Sequence, residues 1–341
     1  MATEKVCRRT GKNMSLLGTQ NYFKPFEHPW MFDYWDLQQQ MHWIPNDVPL
    51  NTDVKDWNNH LTDEERNLVK QIFRLFTQSD VDVGAAYIHK YMKLFRKPEA
   101  QLMMSAFANM EGIHQVAYSQ LLETIGMSDK EYKAFAEYEE MANKHEYLLD
   151  FKPTRKNKRE IAKALAVYSA FTEGLQLFSS FAILLNFPRY GKMKGMGQIV
   201  TYSIRDESLH VEAMTKLFRE FVKENPDIWT DDLKKELYDI CRKMVELEDK
   251  FLDLVFEMGN LEGLTKDEMY AYNRYIADRR LLQLGLKPNF KQKDNPLEWI
   301  DEVIGVEHQN FFEGKATSYM KAGLRGNHGS LTFTELQNEK E

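Results

Sequence analysis

From Thr62 onward the chain repeats with one period, that of a helix, over most of its length. Apolar residues return every three or four positions from Thr62 to about Phe95. The run opens on Thr62-Asp63-Glu64-Glu65, where the threonine hydroxyl can accept from an orphan amide while Glu65 reaches back. Pro98 suits the first turn of a second helix, because its missing N–H had no partner there, and Gly126 suits its left-handed end. Ser128-Asp129-Lys130-Glu131 reads as another capping box. Further helices are predicted from about Arg159 to Asn186, stopped by Pro188, from about Gly197 to Lys223, and over 231–258, 266–284 and 297–320.

Few residues break this pattern: 17 glycines and 10 prolines in 341 residues. No Asn-Gly or Asp-Gly hairpin separates alternating runs, and no glycine-rich phosphate loop is present. The expectation is one large all-α domain with loose ends. A hydrophobic share of 43% excludes a disordered chain. Cys7 and Cys241 are too few for a disulfide framework or a thiolate zinc site, which points to a reducing compartment. Residues 1–15 lack the apolar core of a signal peptide. The apolar stretch Gly174 to Phe187 is too short to span a bilayer and reads as a buried helix. A cytoplasmic, membrane-free protein is expected. With a net charge of -7, nothing favours nucleic acid. The basic segment Lys152–Arg159 has no interleaved aromatics and reads as a solvated loop.

The chemistry lies where charge interrupts the apolar stripes. Glu-x-x-His occurs at Glu111/His114 and again at Glu207/His210. Alone the motif is weak. On a helix, however, Phe107, Glu111, His114 and Tyr118 share one face with Met104 and Leu121. Glu207 and His210 share a face with Val200, Ile204 and Met214. Asp80 shares a stripe with Phe73, Phe76 and Tyr87, and Glu173 lies between Ala166, Ala170, Leu177 and Phe181. Taken singly, a helix carboxylate is more often a cap or salt-bridge partner, and a helix histidine a hydrogen-bonded core residue. Here the order helix-carboxylate, then helix-Glu-x-x-His, occurs twice. Two such pairs facing each other place four carboxylates and two imidazoles in a bundle interior, where an unpaired carboxylate is costly. That is the ligand set of ferritin-like di-iron and di-manganese proteins. Its oxygen and imidazole donors suit iron or manganese over soft metals.

With these motifs in order, the chain resembles the small, radical-generating subunit of class I ribonucleotide reductase over roughly residues 20–320. The resemblance rests on Met110-Glu111-Gly112-Ile113-His114 with Tyr118 beyond it. It also rests on Ser203-Ile204-Arg205-Asp206-Glu207-Ser208-Leu209-His210, on Asp80 and Glu173, on Trp43 in His42-Trp43-Ile44-Pro45, and on Asn310-Phe311-Phe312-Glu313 followed by Tyr319. It implies a ferritin-like bundle and two metal ions, iron first and manganese second, held by Asp80, Glu111, His114, Glu173, Glu207 and His210. It implies a radical on Tyr118 and a transfer route through Asp206, Trp43 and Tyr319 to a separate large subunit that reduces ribonucleotides. It implies a homodimer as well. Ser203 departs from the apolar residue expected beside the radical, and its hydroxyl could bond Tyr118 or admit water. Residues 1–20 are expected to form a flexible arm, 21–320 the di-metal domain, and 321–341 a flexible tail that docks on the large subunit, with Leu331–Leu336 as its anchor. The competing function is a ferritin-like oxygenase or oxidase with the same ligands. It would need an open substrate channel. A non-catalytic iron-storage protein would need no Tyr118 beside the metals.

Overall fold

A computed structural model of the chain describes residues 15–303. The chain divides into two units, Met1–Glu298 and Trp299–Glu341. Of the second, residues 299–303 are described, and they are helical. Most of the helix expected over 297–320, together with Tyr319 and the 321–341 tail, lies outside the described residues.

The described part of the first unit is helical throughout, with no strand and only two isolated bridges. Its principal helices are α1 (Pro29–Gln40), α2 (Asn51–Asn59), α3 (Asp63–Ala86), α4 (Pro98–Thr124), α5 (Glu139–Leu149), α6 (Lys158–Leu165), α7 (Leu177–Arg189), α8 (Lys194–Glu224), α9 (Asp231–Val255) and α10 (Lys266–Gln283). Among the described residues no helix is long and apolar enough to cross a membrane.

Local chemistry sets most of these ends. The Thr62 hydroxyl accepts from the Glu65 amide at 3.2 Å, and Glu65 Oε2 accepts from the Thr62 amide at 2.9 Å. Pro98 opens α4, and Gly126 closes it at φ +80°. The expected box at Ser128 does not form. Only the Ser128 backbone carbonyl is engaged, by the Glu131 amide, because the helix there lasts four residues. Pro188 does not stop its helix at Asn186. The chain continues to Arg189, and the proline ring packs where a side chain on Gly197 would clash. Of the expected N-terminal arm, the described residues are held. Ser15 Oγ and the Leu16 amide both donate to Glu224, and Leu16 is buried.

Two departures from plain α-helix were not legible in the periodicity. Tyr87–Tyr91 at the end of α3 is π-helical, and so is Ala166–Gln176 between α6 and α7. The second segment is buried at every residue. Four elements form the centre: α3 packs on α4, and the Ala166–Gln176 segment with α7 packs on α8. α1 lies across α4 and α8, and α9 and α10 cover the π-helical segment.

Candidate metal centre

Six polar side chains converge inside this four-element centre. α3 supplies Asp80, α4 supplies Glu111 and His114, the π-helical segment supplies Glu173, and α8 supplies Glu207 and His210. None is more than 2% exposed. Ligand-type atoms of Glu111, Glu173, Glu207 and His210 all lie within 4.8 Å of one another, as do those of Asp80, Glu111 and His114. Gly84 permits the close approach of α3 to α4, since a Cβ there would stand 3.3 Å from that of Glu111.

The cluster has two halves and two shared members. His114 Nδ1 is 3.8 Å from Glu111 Oε2 and 3.3 Å from Glu207 Oε1. His210 Nδ1 is 3.1 Å from Glu111 Oε1 and 3.5 Å from Glu207 Oε2. Each of these glutamates therefore turns one oxygen towards each imidazole. Asp80 belongs to the His114 half, and Glu173, 3.5 Å from His210, to the other.

Hydrogen bonds outside the cluster settle how both imidazoles point. Asp206 is a carboxylate and can only accept, so the side-chain amide nitrogen of Gln38 faces its Oδ1 at 3.1 Å. Gln38 Oε1 then faces His210 Nε2, also at 3.1 Å, and that nitrogen must carry the proton. His114 Nε2 likewise donates to Asp206 Oδ2 at 3.1 Å. Both Nδ1 lone pairs are left aimed into the cluster, as metal-binding histidines require. Trp43 Nε1 donates 2.8 Å to the same Asp206 oxygen that receives His114. Gln38 had no signal in the sequence, since Gln38-Gln39-Gln40 reads as a polar helix end. Tyr87, on the Asp80 stripe, donates its hydroxyl to Glu173 Oε1 at 2.8 Å.

The electrostatics fit a site built to hold cations. Asp80 Oδ2, both oxygens of Glu111 and Glu207, and both Nδ1 atoms are buried without an aligned hydrogen bond. Burial pushes the Asp80 carboxyl well up, and Glu111 beside it adds to the shift. Burial likewise raises Glu173 to about 8, with Glu207 and Glu111 adding. Burial would raise Glu111 too, but the two imidazoles outweigh it and hold that carboxyl low. Burial would lower both histidines, yet their carboxylate neighbours carry them well above the usual imidazole value. Without metal the site must hold protons to limit its charge. Once those protons leave, hard oxygen donors converging with two imidazoles suit a pair of divalent transition-metal ions.

Tyr118 lies beside this cluster, buried, with its ring centroid 6.4 Å from that of His114. Phe73 and Phe76 cover it at 5.6 and 5.3 Å, and Phe181 packs behind Phe76. Its hydroxyl donates to Ser203 Oγ at 2.8 Å, and Ser203 donates on to the Ile199 carbonyl. Of the two readings open for Ser203, the bond to Tyr118 is the one formed.

The profile of the family "Ribonucleotide reductase, small chain" matches residues 20–296. The chain belongs to that family. It is 42% identical to a probable ribonucleoside-diphosphate reductase small subunit of Invertebrate iridescent virus 6, across 96% of this chain and all of that one. It is 28% identical to a ribonucleoside-diphosphate reductase subunit beta of Chlamydia pneumoniae, covering 89% of this chain and 91% of the relative. The ribonucleotide reductase R2 subunit of Clostridium botulinum superimposes with a TM-score of 0.75 at 25% identity, over 81% of this chain and 88% of that one. Membership of the ribonucleotide reductase small-chain family confirms the ferritin-like helical fold expected from the paired motifs.

Proposed function

We propose that the chain works as a radical-generating small subunit of ribonucleoside-diphosphate reductase, with Asp80, Glu111, His114, Glu173, Glu207 and His210 holding two metal ions. The observation that carries this is the set of buried, unpaired donor atoms facing one another across two histidine-centred halves. Asp80 with His114, Glu173 with His210, and Glu111 and Glu207, which face both imidazoles, are the residues that would hold the two ions. A metal pair held there would supply the oxidising power, drawn from oxygen, to take one electron from Tyr118.

The protein's own groups do the rest. Phe73, Phe76 and Phe181 exclude water from the Tyr118 ring, and Ser203 fixes its phenolic proton. Asp206 joins Trp43 to His114 through one oxygen, so an electron leaving Trp43 has a proton acceptor already in contact. Tyr319 and the 321–341 tail, by resemblance, would continue the route and dock on the large subunit. Iron is proposed first and manganese second. A homodimer is proposed because Val81, Ile88 and Val116, on or just beyond the helices that carry Asp80 and Glu111, stand 45%, 49% and 57% exposed. A cytoplasmic address is proposed with it. The oxygenase reading gains nothing from the cavity of about 470 Å³ walled by Phe218, Trp229 and Leu284, which takes none of the six as lining.

The test is metal analysis coupled to electron paramagnetic resonance after reconstitution in oxygen. Two metals per chain and a tyrosyl signal are expected. His114→Ala and His210→Ala that still bind two metals would end the assignment. Deleting residues 331–341 should abolish binding to the large subunit and keep the radical.

A further inference from the structure

Trp43 and Asp206 leave the cluster on one side; a row of phenols leaves it on another. Tyr87 donates to Glu173 Oε1 at 2.8 Å. Its ring centroid lies 5.7 Å from that of Tyr91, and Tyr91 lies 6.4 Å from Tyr168. All three are at most 2% exposed. At the far end the half-buried Lys90 contacts the Tyr168 hydroxyl and donates to the Phe151 carbonyl at 2.9 Å.

Packing alone does not account for the hydroxyls. Phenylalanine would fill the same space without a polar group to satisfy, and burying a phenol needs a partner each time. The partners are present. Tyr91 donates to the Ala164 carbonyl at 2.9 Å and Tyr168 to the Leu148 carbonyl at 2.7 Å. Three consecutive buried rings each keep the atom that makes tyrosine oxidisable, and the first of them bonds a carboxylate of the cluster.

We propose that Tyr87, Tyr91 and Tyr168 form a second electron route, separate from Trp43, that carries one electron from a small-molecule reductant at the Lys90 surface to the metal centre. The route rests on the metal-binding reading above. Tyr87 gives an electron to the oxidised centre and its phenolic proton to the Glu173 oxygen it already touches. It recovers an electron from Tyr168 across the Tyr91 ring and its proton from Glu173. On oxidation Tyr168 turns its proton from the Leu148 carbonyl to the neutral Lys90 amine it contacts and passes it there. A one-electron donor such as ascorbate then reduces the Tyr168 radical, and Lys90 returns the proton. The net change is one electron lost by the donor and one gained at the centre. Burial pushes the Lys90 ammonium down to about 8, which leaves part of it neutral and able to accept near neutral pH.

The experiment uses the full chain in a Tyr118→Phe background, which removes the competing donor. Metal-free protein is mixed with ferrous iron and oxygen without reductant, freeze-quenched for electron paramagnetic resonance, and mapped by a nitroso spin trap and peptide mass spectrometry. A transient tyrosyl signal is expected, with a trapped adduct at Tyr168, and ascorbate should quench both. Adding Tyr168→Phe should abolish that adduct and leave the signal on Tyr87, slow to respond to ascorbate. Tyr91→Leu should give the same result by removing the bridging ring. Adducts confined to Trp43 or to Tyr202, whose ring centroid lies 5.2 Å from that of Trp43, no tyrosyl signal at all, or unchanged ascorbate quenching in both variants would overturn the route. Bound iron is counted in every sample. A Tyr118-containing parent that binds no metal pair would sink the metal-binding reading itself, whereas two irons with no Tyr168 adduct sinks only the route.

Discussion

Trp43 and Tyr118 stand almost equally far from the His114 ring, at centroid separations of 6.1 and 6.4 Å. Their surroundings differ completely. Trp43 is tied to the imidazole through Asp206, whose carboxyl burial would raise but His114, Arg205 and Trp43 hold down, so it stays charged. Tyr118 is walled by phenylalanines, and its hydroxyl bonds Ser203, not a cluster member. Burial, helped by Asp80, pushes its phenol well up, so it remains protonated. Distance to the centre does not separate the two roles. Hydrogen-bond wiring does: a connected residue can pass charge on, and an insulated one can keep it.

That contrast breaks most sharply by exchanging one aromatic at a time. Tyr118→Phe should keep two metals, lose the stable tyrosyl radical so that only a transient signal remains, and abolish turnover with the large subunit. Trp43→Phe should keep metals and eventually the radical, yet lower turnover about a hundredfold or more, equal to about 2.7 kcal/mol of barrier. Near-normal turnover in Trp43→Phe, measured beside its radical content, would remove Trp43 from the route.

The next effect concerns the cluster both residues share. In the metal-free protein the Glu173 carboxyl is raised from 4.5 to about 8. Between those values the folded state holds a proton the unfolded chain has released, so stability falls as pH rises, by about 1.4 kcal/mol per pH unit for one group. The raised histidines act in the same direction above their ordinary value. Metal binding needs the same groups deprotonated, so the metal-loaded form should gain affinity as pH rises. Melting curves at several pH values should show the metal-free and loaded proteins diverging upward. Parallel curves would contradict the electrostatic account.

Gln38→Leu tests the wiring more gently. It leaves His210 Nε2 and Asp206 Oδ1 without their partner, which should cost about 1–3 kcal/mol of stability and about 10–100-fold in metal affinity. The His210 half should lose its metal before the His114 half in a chelator titration. Equal loss from both halves would show that Gln38 does not orient His210. The smallest effect is expected at Ser203. Ser203→Ala should retain metals and radical, and should shift the high-field resonance of Tyr118 because its oxygen loses a hydrogen-bond partner. An unchanged spectrum would mean that Ser203 leaves the radical oxygen once it forms.

The sequence disclosed this centre unevenly, for physical reasons. Asp80, Glu111, His114, Glu173, Glu207 and His210 were legible because a charge within an apolar helical stripe demands a partner, and the geometry brings all six together. Tyr118 followed from the same face arithmetic, whereas Ser203 stood out only through the family resemblance. Gln38 was not legible, because a glutamine in a polar run looks the same whether it meets water or a histidine. Nothing in the stripe that carries Tyr87 signals its bond to Glu173, which comes from a different helix. Helix ends were clear where a cap was strong, as at Thr62. They were misread at Ser128 and Pro188, where a short helix and a tolerated proline override the local signal.

The π-helical passage through Ala166–Gln176 shapes how the backbone opens. Every residue in it is buried, so solvent access does not distinguish it from α7, where eleven residues in a row from Leu177 are also buried. What differs is the hydrogen-bond ladder: π turns are rare and, where they occur, frequent at functional sites. Amide hydrogen exchange in the metal-free protein should therefore run ahead in 166–176 relative to 177–186, through local opening that leaves the rest folded. Loading the centre ties Glu173 to it and should slow exchange in that passage more than in its continuation, making deuterium uptake there a gauge of occupancy that needs neither oxygen nor a radical.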